Sequence, residues 1–451
     1  MKILKNCYNY SIASLFLLLL LSSVHLAQAQ AQAQLLNTTD PLDYMRQLVK
    51  SKLAEDSFHV VDLARVAERY QYWYKYLPRV TPFYAVKTNP DPLIVKTLSS
   101  LGSGFDAASE NEIKLVLKTE IDPEKIIFAH PRKADSGIEF AKKVNVKKMT
   151  FDSVDELDKM IEIFPQGKFV LRIKTDDSHS GTPLSTKFGA DIAYAKVLLQ
   201  KAHEMGANII GISFHVGSNS SDPESYRKAL LDCATLFQEA REKYSMNFTF
   251  LDIGGGWPGN NDILFQKMAE VVNETLDKYF SPSVTVIAEP GRFFAAPAVH
   301  IATKIIGVEK IMVTDSTTAG PDISPGTIAF SYFMSDGVYG SFLDSLYYQY
   351  NTELIRKEGI DLKPLILNNN TPAHTSPIVP VPVPVYLTTI WGPTCDSGDK
   401  IFEKIYLPEM KRGDYLYSAN AGAYTTATST NFNGIKPSTP HYINQLPIKD
   451  L

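Results

Sequence analysis

The stretch TPFYAVKTNPDP closes a run of apolar and β-preferring residues on Lys87, and prolines follow it. An ammonium at such a point has two readings. It marks where a strand reaches water, or it is an amine in a closed site, where desolvation lowers its pKa and makes it a nucleophile. Other groups able to do chemistry also stand at the ends of β-rich runs: Asp106 in GFDAA, His215 and Ser218 in SFHVGSN, Gly254, Gly255 and Gly256 in LDIGGGWPG, Glu289 and Arg292 in AEPGRFF. Glycines directly after a strand let backbone N–H groups approach an anion, usually a phosphate, although a tight turn uses the same residues. The glycine run fits neither G-x-x-x-x-G-K-[ST] nor G-x-G-x-x-G. His215 alone reads equally as a hydrogen-bonded core histidine.

The elements that must position these groups alternate. Eight β-rich runs, PFYAVK, SGFDAA, KIIFAHP, KKMTFD, KFVLRIK, IIGISFHVG, FTFLDIGG and VTVIAEPG, are separated by amphipathic stretches such as SVDELDKMIEIF and DIAYAKVLLQKAHEMG. This α/β rotation fits a closed (β/α)8 barrel, with a doubly wound open sheet as the rival. The polar residues decide for the barrel, because barrels build their sites from the C-terminal ends of several strands. After Phe294 the helical period disappears, and AVHIATKIIGVEKIMV, KIYLPEM and GDYLYSANAGAYTTA read as strands of an all-β C-terminal domain. The tract SPIVPVPVPVY reads as an extended, exposed segment, since proline cannot donate into a central ladder.

The chain has 451 residues, 44% hydrophobic and 21% charged, with a net charge of −4. That is room for two globular domains, and the lack of any basic run argues against nucleic acid as a partner. Lys2 and Lys5 precede IASLFLLLLL and then Ala27-Gln28-Ala29, the pattern of a secretory signal. Residues 1–29 are therefore expected to be cleaved and the chain exported, without stable membrane association; SSVHLA would lengthen the same stretch into an uncleaved anchor. Residues 30–60 form an N-terminal segment, 61–294 the barrel and 295–451 the β-rich domain. Of Cys7, Cys233 and Cys395, the first leaves with the signal, Cys233 sits in a helical pattern and reads as core, and Cys395 lies in the turn-rich WGPTCDSGD.

An amine, a phosphate cradle, a carboxylate and a flat ring together match what pyridoxal 5'-phosphate requires: a lysine for its aldehyde, a cradle for its phosphate, an acid for its ring nitrogen. The segments PFYAVKTN, GFDAASENEI, LRIKTDD with STKFGA, SFHVGSN, LDIGGGWPG, AEPGRFF, SDGVYGSF, WGPTCDSGDK and GAYTTATSTNFNG resemble the eukaryotic ornithine decarboxylases, pyridoxal-phosphate enzymes of the alanine-racemase fold. The resemblance implies a barrel followed by a β-rich domain to which a short N-terminal part returns.

It also implies roles. Lys87 matches the Schiff-base lysine, Glu289 the acid at the pyridine nitrogen and His215 the imidazole stacked on the ring. Ser218, the three glycines, Arg292 and Tyr424 match the phosphate-binding set. Asp106, Glu112, Arg172 and Lys187 match polar residues around the cofactor or at the subunit contact. Asp336 and Asp396 match carboxylates that hold the distal ammonium of ornithine, and Cys395 the thiol that protonates the α-carbon. In the family Cys395 and Asp396 come from the neighbouring subunit, so a homodimer with shared active sites is implied, with a small diamino acid as substrate. The implied reaction is decarboxylation of L-ornithine to putrescine. Lysine, arginine or diaminopimelate as substrate, and a non-catalytic relative that binds antizyme, are the alternatives. The family is mostly cytosolic, which is the alternative to export.

Overall fold

The computed structural model describes residues 38–313, 326–346, 352–355, 362–365 and 384–445. After a helix at Pro41–Lys50, strand β1 (Ser57–Asp62) leads into the barrel. Its strands are β2 (Val80–Ala85), β3 (Gly104–Ala107), β4 (Ile126–Phe128), β5 (Lys148–Phe151), β6 (Lys168–Arg172), β7 (Ile209–Ser213), β8 (Phe250–Asp252) and β9 (Thr285–Ala288). Each pairs in parallel with its sequence neighbour, and β9 pairs with β2 through Val286↔Val80, so the sheet closes. The barrel reading holds over the open sheet, and each of the eight β-rich runs overlaps one of its strands.

The local chemistry explains the rotation. Helices must start where the chain leaves the C-terminal end of a strand, and there the sequence supplies capping side chains. Asp91 accepts from the N–H of Leu93 and Ile94, Ser109 from Glu112, Ser153 from Glu156, Asp191 from Tyr194 and Asn261 from Leu264. Inside the barrel Phe83, Ile127, Val170, Phe250 and Ile287 form the central packing. Its N-terminal end carries Glu124 between Lys148 and Lys168, at 2.9 and 3.0 Å. Burial would raise the Glu124 pKa, but the two ammonium groups override it and hold it at about 2.

The catalytic end is braced by aromatic rings. Trp73, from the helix Leu63–Tyr76, packs edge-on to Trp257 and Phe293. Trp257 Nε1 donates to Gly254 O at 3.0 Å, which ties the glycine run to this cluster. The buried Arg69 lies 4.0 Å over the Phe293 ring and reaches Asp262 at 2.6 Å.

Beyond the barrel lies a nine-stranded sheet. Val299–Met312 pairs antiparallel with Ile328–Met334 and with Tyr415–Ser418. Val385–Trp391 pairs parallel with Ile328–Met334 and antiparallel with Lys400–Pro408. The N-terminal β1 inserts between Val299–Met312 and Thr439–Ile443. The run GDYLYSANAGAYTTA is a strand only to Ser418: Tyr424 takes φ +55, and a short 3₁₀ turn at Thr426–Thr428 follows. Most of SPIVPVPVPVY, and the whole of 1–29, lie outside the described residues. No helix among the described residues is long and apolar enough to cross a membrane.

Two histidines sit in the seam where β1 joins this sheet. His59 Nδ1 lies 3.0 Å from Ser438 Oγ, and His300 Nδ1 lies 2.6 Å from the Tyr417 hydroxyl. Burial, with His441 adding to it, lowers His59 to about 4, and burial lowers His300 to about 4. Both rings are neutral in the folded chain at pH 7. Below about pH 6.5 the unfolded chain takes up protons that the folded chain refuses until about pH 4, so stability present above pH 6.5 is lost across that window. The melting midpoint is expected to fall between pH 6.5 and 4, and the double variant His59→Gln, His300→Gln to fall less steeply; equal slopes would remove these residues as the cause.

Candidate active site

Lys87 begins the C-terminal mouth of the barrel, on a single 3₁₀ turn, Val86–Thr88, after β2. Its Nζ contacts the carboxylate of Asp106, the last residue but one of β3, which has no exposed surface. Of the two readings of Lys87 the structure selects the closed site, but not the lowered pKa. Burial pulls the ammonium down, while Asp106 above all pulls it up, and the net shift is upward. In the protein alone Lys87 is therefore a held cation.

Glu289 follows β9, and its N–H donates to Gly254 O at 2.8 Å. Burial, reinforced by Asp106 and Asp252, pushes its pKa well above the carboxylate range. Asp252, the last residue of β8, is buried; its Oδ1 accepts from Gly254 N at 2.9 Å, and burial raises it too. Glu289 thus stands protonated in the resting protein.

His215 is buried, and its Nδ1 accepts the Gly217 N–H at 3.0 Å, so its proton sits on Nε2. Burial first, then the Arg172 and Lys87 cations, lower its pKa well below the ordinary value. It is a neutral ring at pH 7. The glycines are where the chain needs them. Gly254 and Gly256 have φ +60 and +110, and a Cβ on Gly255 would lie 2.6 Å from His215 Nε2 and 3.0 Å from Glu289 O.

A cavity of about 290 Å³ opens at this mouth, lined by Lys87, His215, Ser218, Arg292, Asp344 and Tyr424 among others. Tyr424 arrives from the second sheet: Tyr424 N donates to Thr88 O at 2.9 Å, and its ring lies 5.3 Å from the Arg292 guanidinium. Arg292 is buried and makes a two-pronged ion pair with Asp344, at 2.8 and 2.9 Å.

Several expected residues do not line the cavity. Glu112 accepts the Ala108 N–H at 2.6 Å and is half-buried. Arg172 ends β6, 5.5 Å from the Phe188 ring, with the exposed Lys187 5.0 Å from the same ring. Cys395 is exposed and does not line this chain's cavity. Asp396 accepts from the Tyr339 hydroxyl and, at 2.9 Å, from Gly398 N.

Asp336 lines a separate small recess with Gly337, Tyr339 and Thr394, not the cavity that Lys87 faces. Its Oδ1 accepts from Gly337 N and Ser341 N at 2.8 Å each, and its Oδ2 from Ser57 Oγ at 2.9 Å.

Asp252 and Asp344 were missed. Asp252 immediately precedes Ile253 and the glycines, at a strand end like the other site residues, and that position was the available signal. Asp344 follows SDGVYGSF with no spacing to mark it.

Residues 63–296 match the family model for pyridoxal-dependent decarboxylases, pyridoxal binding domain. This chain belongs to the pyridoxal-dependent decarboxylases. It is 40% identical over 416 residues to the ornithine decarboxylase of Mus pahari, covering 91% of this chain and 86% of that one. It is 41% identical over 391 residues to antizyme inhibitor 2 of Xenopus laevis, covering 86% and 81%. Among solved structures, the arginine decarboxylase of Paramecium bursaria Chlorella virus superposes with a TM-score of 0.77 at 33% identity, covering 89% of this chain and all of that one.

These relatives also overturn the expectation of export. The chain matches ornithine decarboxylases of animals over about nine-tenths of its length, members of the group that its resemblance associates mainly with the cytosol, and residues 1–29 lie outside the described region.

The residues present fit pyridoxal phosphate. Asp106 Oδ1 is buried without a hydrogen-bond partner, the space over Gly255 is one a Cβ would close, and the cavity unites an amine, a neutral ring and a guanidinium.

Gly255→Ala is expected to push His215 aside and weaken pyridoxal phosphate binding about tenfold or more, with a stability loss of about 1–3 kcal/mol; fluorescence titration and thermal melts measure both. Asp106→Asn removes the strongest upward pull on Lys87, so the pKa of Lys87, followed by NMR of reductively methylated protein, is expected to fall. An unmoved value would assign the shift elsewhere.

Proposed function

We propose that this pyridoxal-dependent decarboxylase converts L-ornithine to putrescine and carbon dioxide. The observation that carries the reading is the convergence of Lys87, Asp106, His215, Glu289, Arg292 and Tyr424 on one barrel mouth, in a chain 40% identical to ornithine decarboxylases over nine-tenths of its length. The bound cofactor supplies the electron sink that takes up the charge left at the α-carbon when carbon dioxide departs.

The protein's residues do the rest. Lys87 Nζ would hold the aldehyde of the cofactor once it has given up its proton, and Asp106 balances the ammonium charge until then. Glu289, which burial and the neighbouring acids shift toward its protonated form, would face the ring nitrogen and hold a proton there. His215 presents a neutral face to the ring, so it adds no charge that would compete with Glu289. Ser218, Arg292, Tyr424 and the N–H groups of Gly254, Gly255 and Gly256 take the phosphate.

The exposed Cys395 and its neighbour Asp396 act in a second copy's cavity, Cys395 Sγ giving a proton to the α-carbon and Asp396 receiving the distal ammonium. Homodimer formation therefore completes each site. Support for this comes from Cys395 being solvent-facing and absent from the wall of its own chain's cavity.

A second reading, a non-catalytic binding protein, is favoured by the 41% identity to antizyme inhibitor 2. The presence of Lys87, Glu289 and Cys395 argues against it.

Carbon dioxide release from ornithine, lysine and arginine tests the first reading, with ornithine expected to dominate; no release from any of them supports the second. Cys395→Ala is expected to lower ornithine turnover by about 10²–10⁴. Mixing Lys87→Ala with Cys395→Ala chains is expected to restore activity neither has alone, and failure to do so would end the shared-site proposal.

A further inference from the structure

Arg292 is the guanidinium that the proposed function assigns to phosphate, and its two terminal nitrogens are already engaged. Nη1 donates to Asp344 Oδ2 at 2.8 Å and Nη2 to Asp344 Oδ1 at 2.9 Å, with both side chains less than a tenth exposed. Asp344 comes from the turn Leu343–Leu346, and both it and Leu343 line the cavity that holds Lys87, His215, Ser218 and Tyr424.

A carboxylate and a phosphate ask the same thing of an arginine: two oxygens set against one planar fork of N–H groups. They cannot occupy that fork together. With Asp344 in place the pair is neutral, and a phosphate dianion meets a carboxylate beside the cation meant to attract it. Two anions side by side in a partly desolvated cavity repel strongly. The arrangement also explains how Arg292 stays buried in the protein alone, since a guanidinium there without a counter-charge would be strongly destabilising.

We propose that Asp344 is an internal competitor for the phosphate of pyridoxal phosphate: it holds Arg292 in the cofactor-free protein and is displaced from the guanidinium when phosphate binds. Cofactor occupancy is then weaker than the rest of the site would allow, and it responds to anions that favour either state. This inference rests on Arg292 being the phosphate ligand.

Asp344→Asn keeps one acceptor for Arg292 and removes the competing charge. Full-length Asp344→Asn is expected to bind pyridoxal phosphate about tenfold or more tightly than the parent chain, measured by fluorescence titration. Pyridoxal, which lacks the phosphate, is expected to bind both alike. Inorganic phosphate is expected to raise the melting midpoint of cofactor-free Asp344→Asn more than that of the parent. Asp344→Ser repeats the comparison with a smaller side chain should the amide perturb folding.

Unchanged or weaker binding of pyridoxal phosphate by both variants overturns the proposal, because Asp344 would then hold Arg292 in the posture that phosphate needs. Arg292→Gln separates this from the reading beneath it. If that variant keeps the parent's preference for pyridoxal phosphate over pyridoxal, Arg292 is not the phosphate ligand at all.

Discussion

Asp106 has no exposed surface, and an ionised carboxylate in that position is tolerable only because the Lys87 ammonium lies against it. Isolated, the fully buried Asp106 charge would pay a desolvation cost of several kcal/mol. The neighbourhood repeats the problem, since Asp252 and Glu289 are buried a short way off, and with more carboxyl groups than nearby cations at least one proton must stay. It stays where burial and like charges push hardest, and Glu289 is the group most strongly raised in this way. The protonation pattern useful for holding a basic ring nitrogen is thus a consequence of packing acids at the closed end of a barrel.

Closure of the barrel makes this concentration possible. Lys87 and Asp106 lie on adjacent strand ends, but Glu289 is some two hundred residues later, and only the pairing of β9 with β2 brings it beside them. The aromatic cluster around Trp73 then fixes the two loops that matter most, one carrying the glycines and the other Arg292. The second sheet contributes through a close approach. Gly422 passes so near Ala295 that a Cβ would lie 1.8 Å from its carbonyl oxygen, and Asn89 Nδ2 donates to Gly422 O at 3.0 Å. That contact delivers Tyr424 to the cavity, in a backbone conformation few side chains adopt.

Legibility in the sequence followed locality. A strand ending on a polar residue leaves a mark within ten residues, and Lys87, His215 and Glu289 were all found that way. For Asp336 the motif shows a carboxylate but not its surroundings; only the fold brings the N–H groups of Gly337 and Ser341 and the Ser57 hydroxyl against it. The apolar N-terminus misled, since hydropathy alone suggested an export that the match to ornithine decarboxylases overturns. Asp344 left no trace because its partner, Arg292, is 52 residues away.

The order of strands and helices and the end of the barrel at which the chemistry would gather follow from residue types and their periodicity, because capping, alternation and burial act over short distances. Which carboxyl keeps its proton, the upward shift of Lys87, the turn duty of Asp336 and the hold of Asp344 on Arg292 were decided by the folded chain. Charges interact through space and through whatever water the fold leaves between them, and neither separation nor solvent is written along the chain.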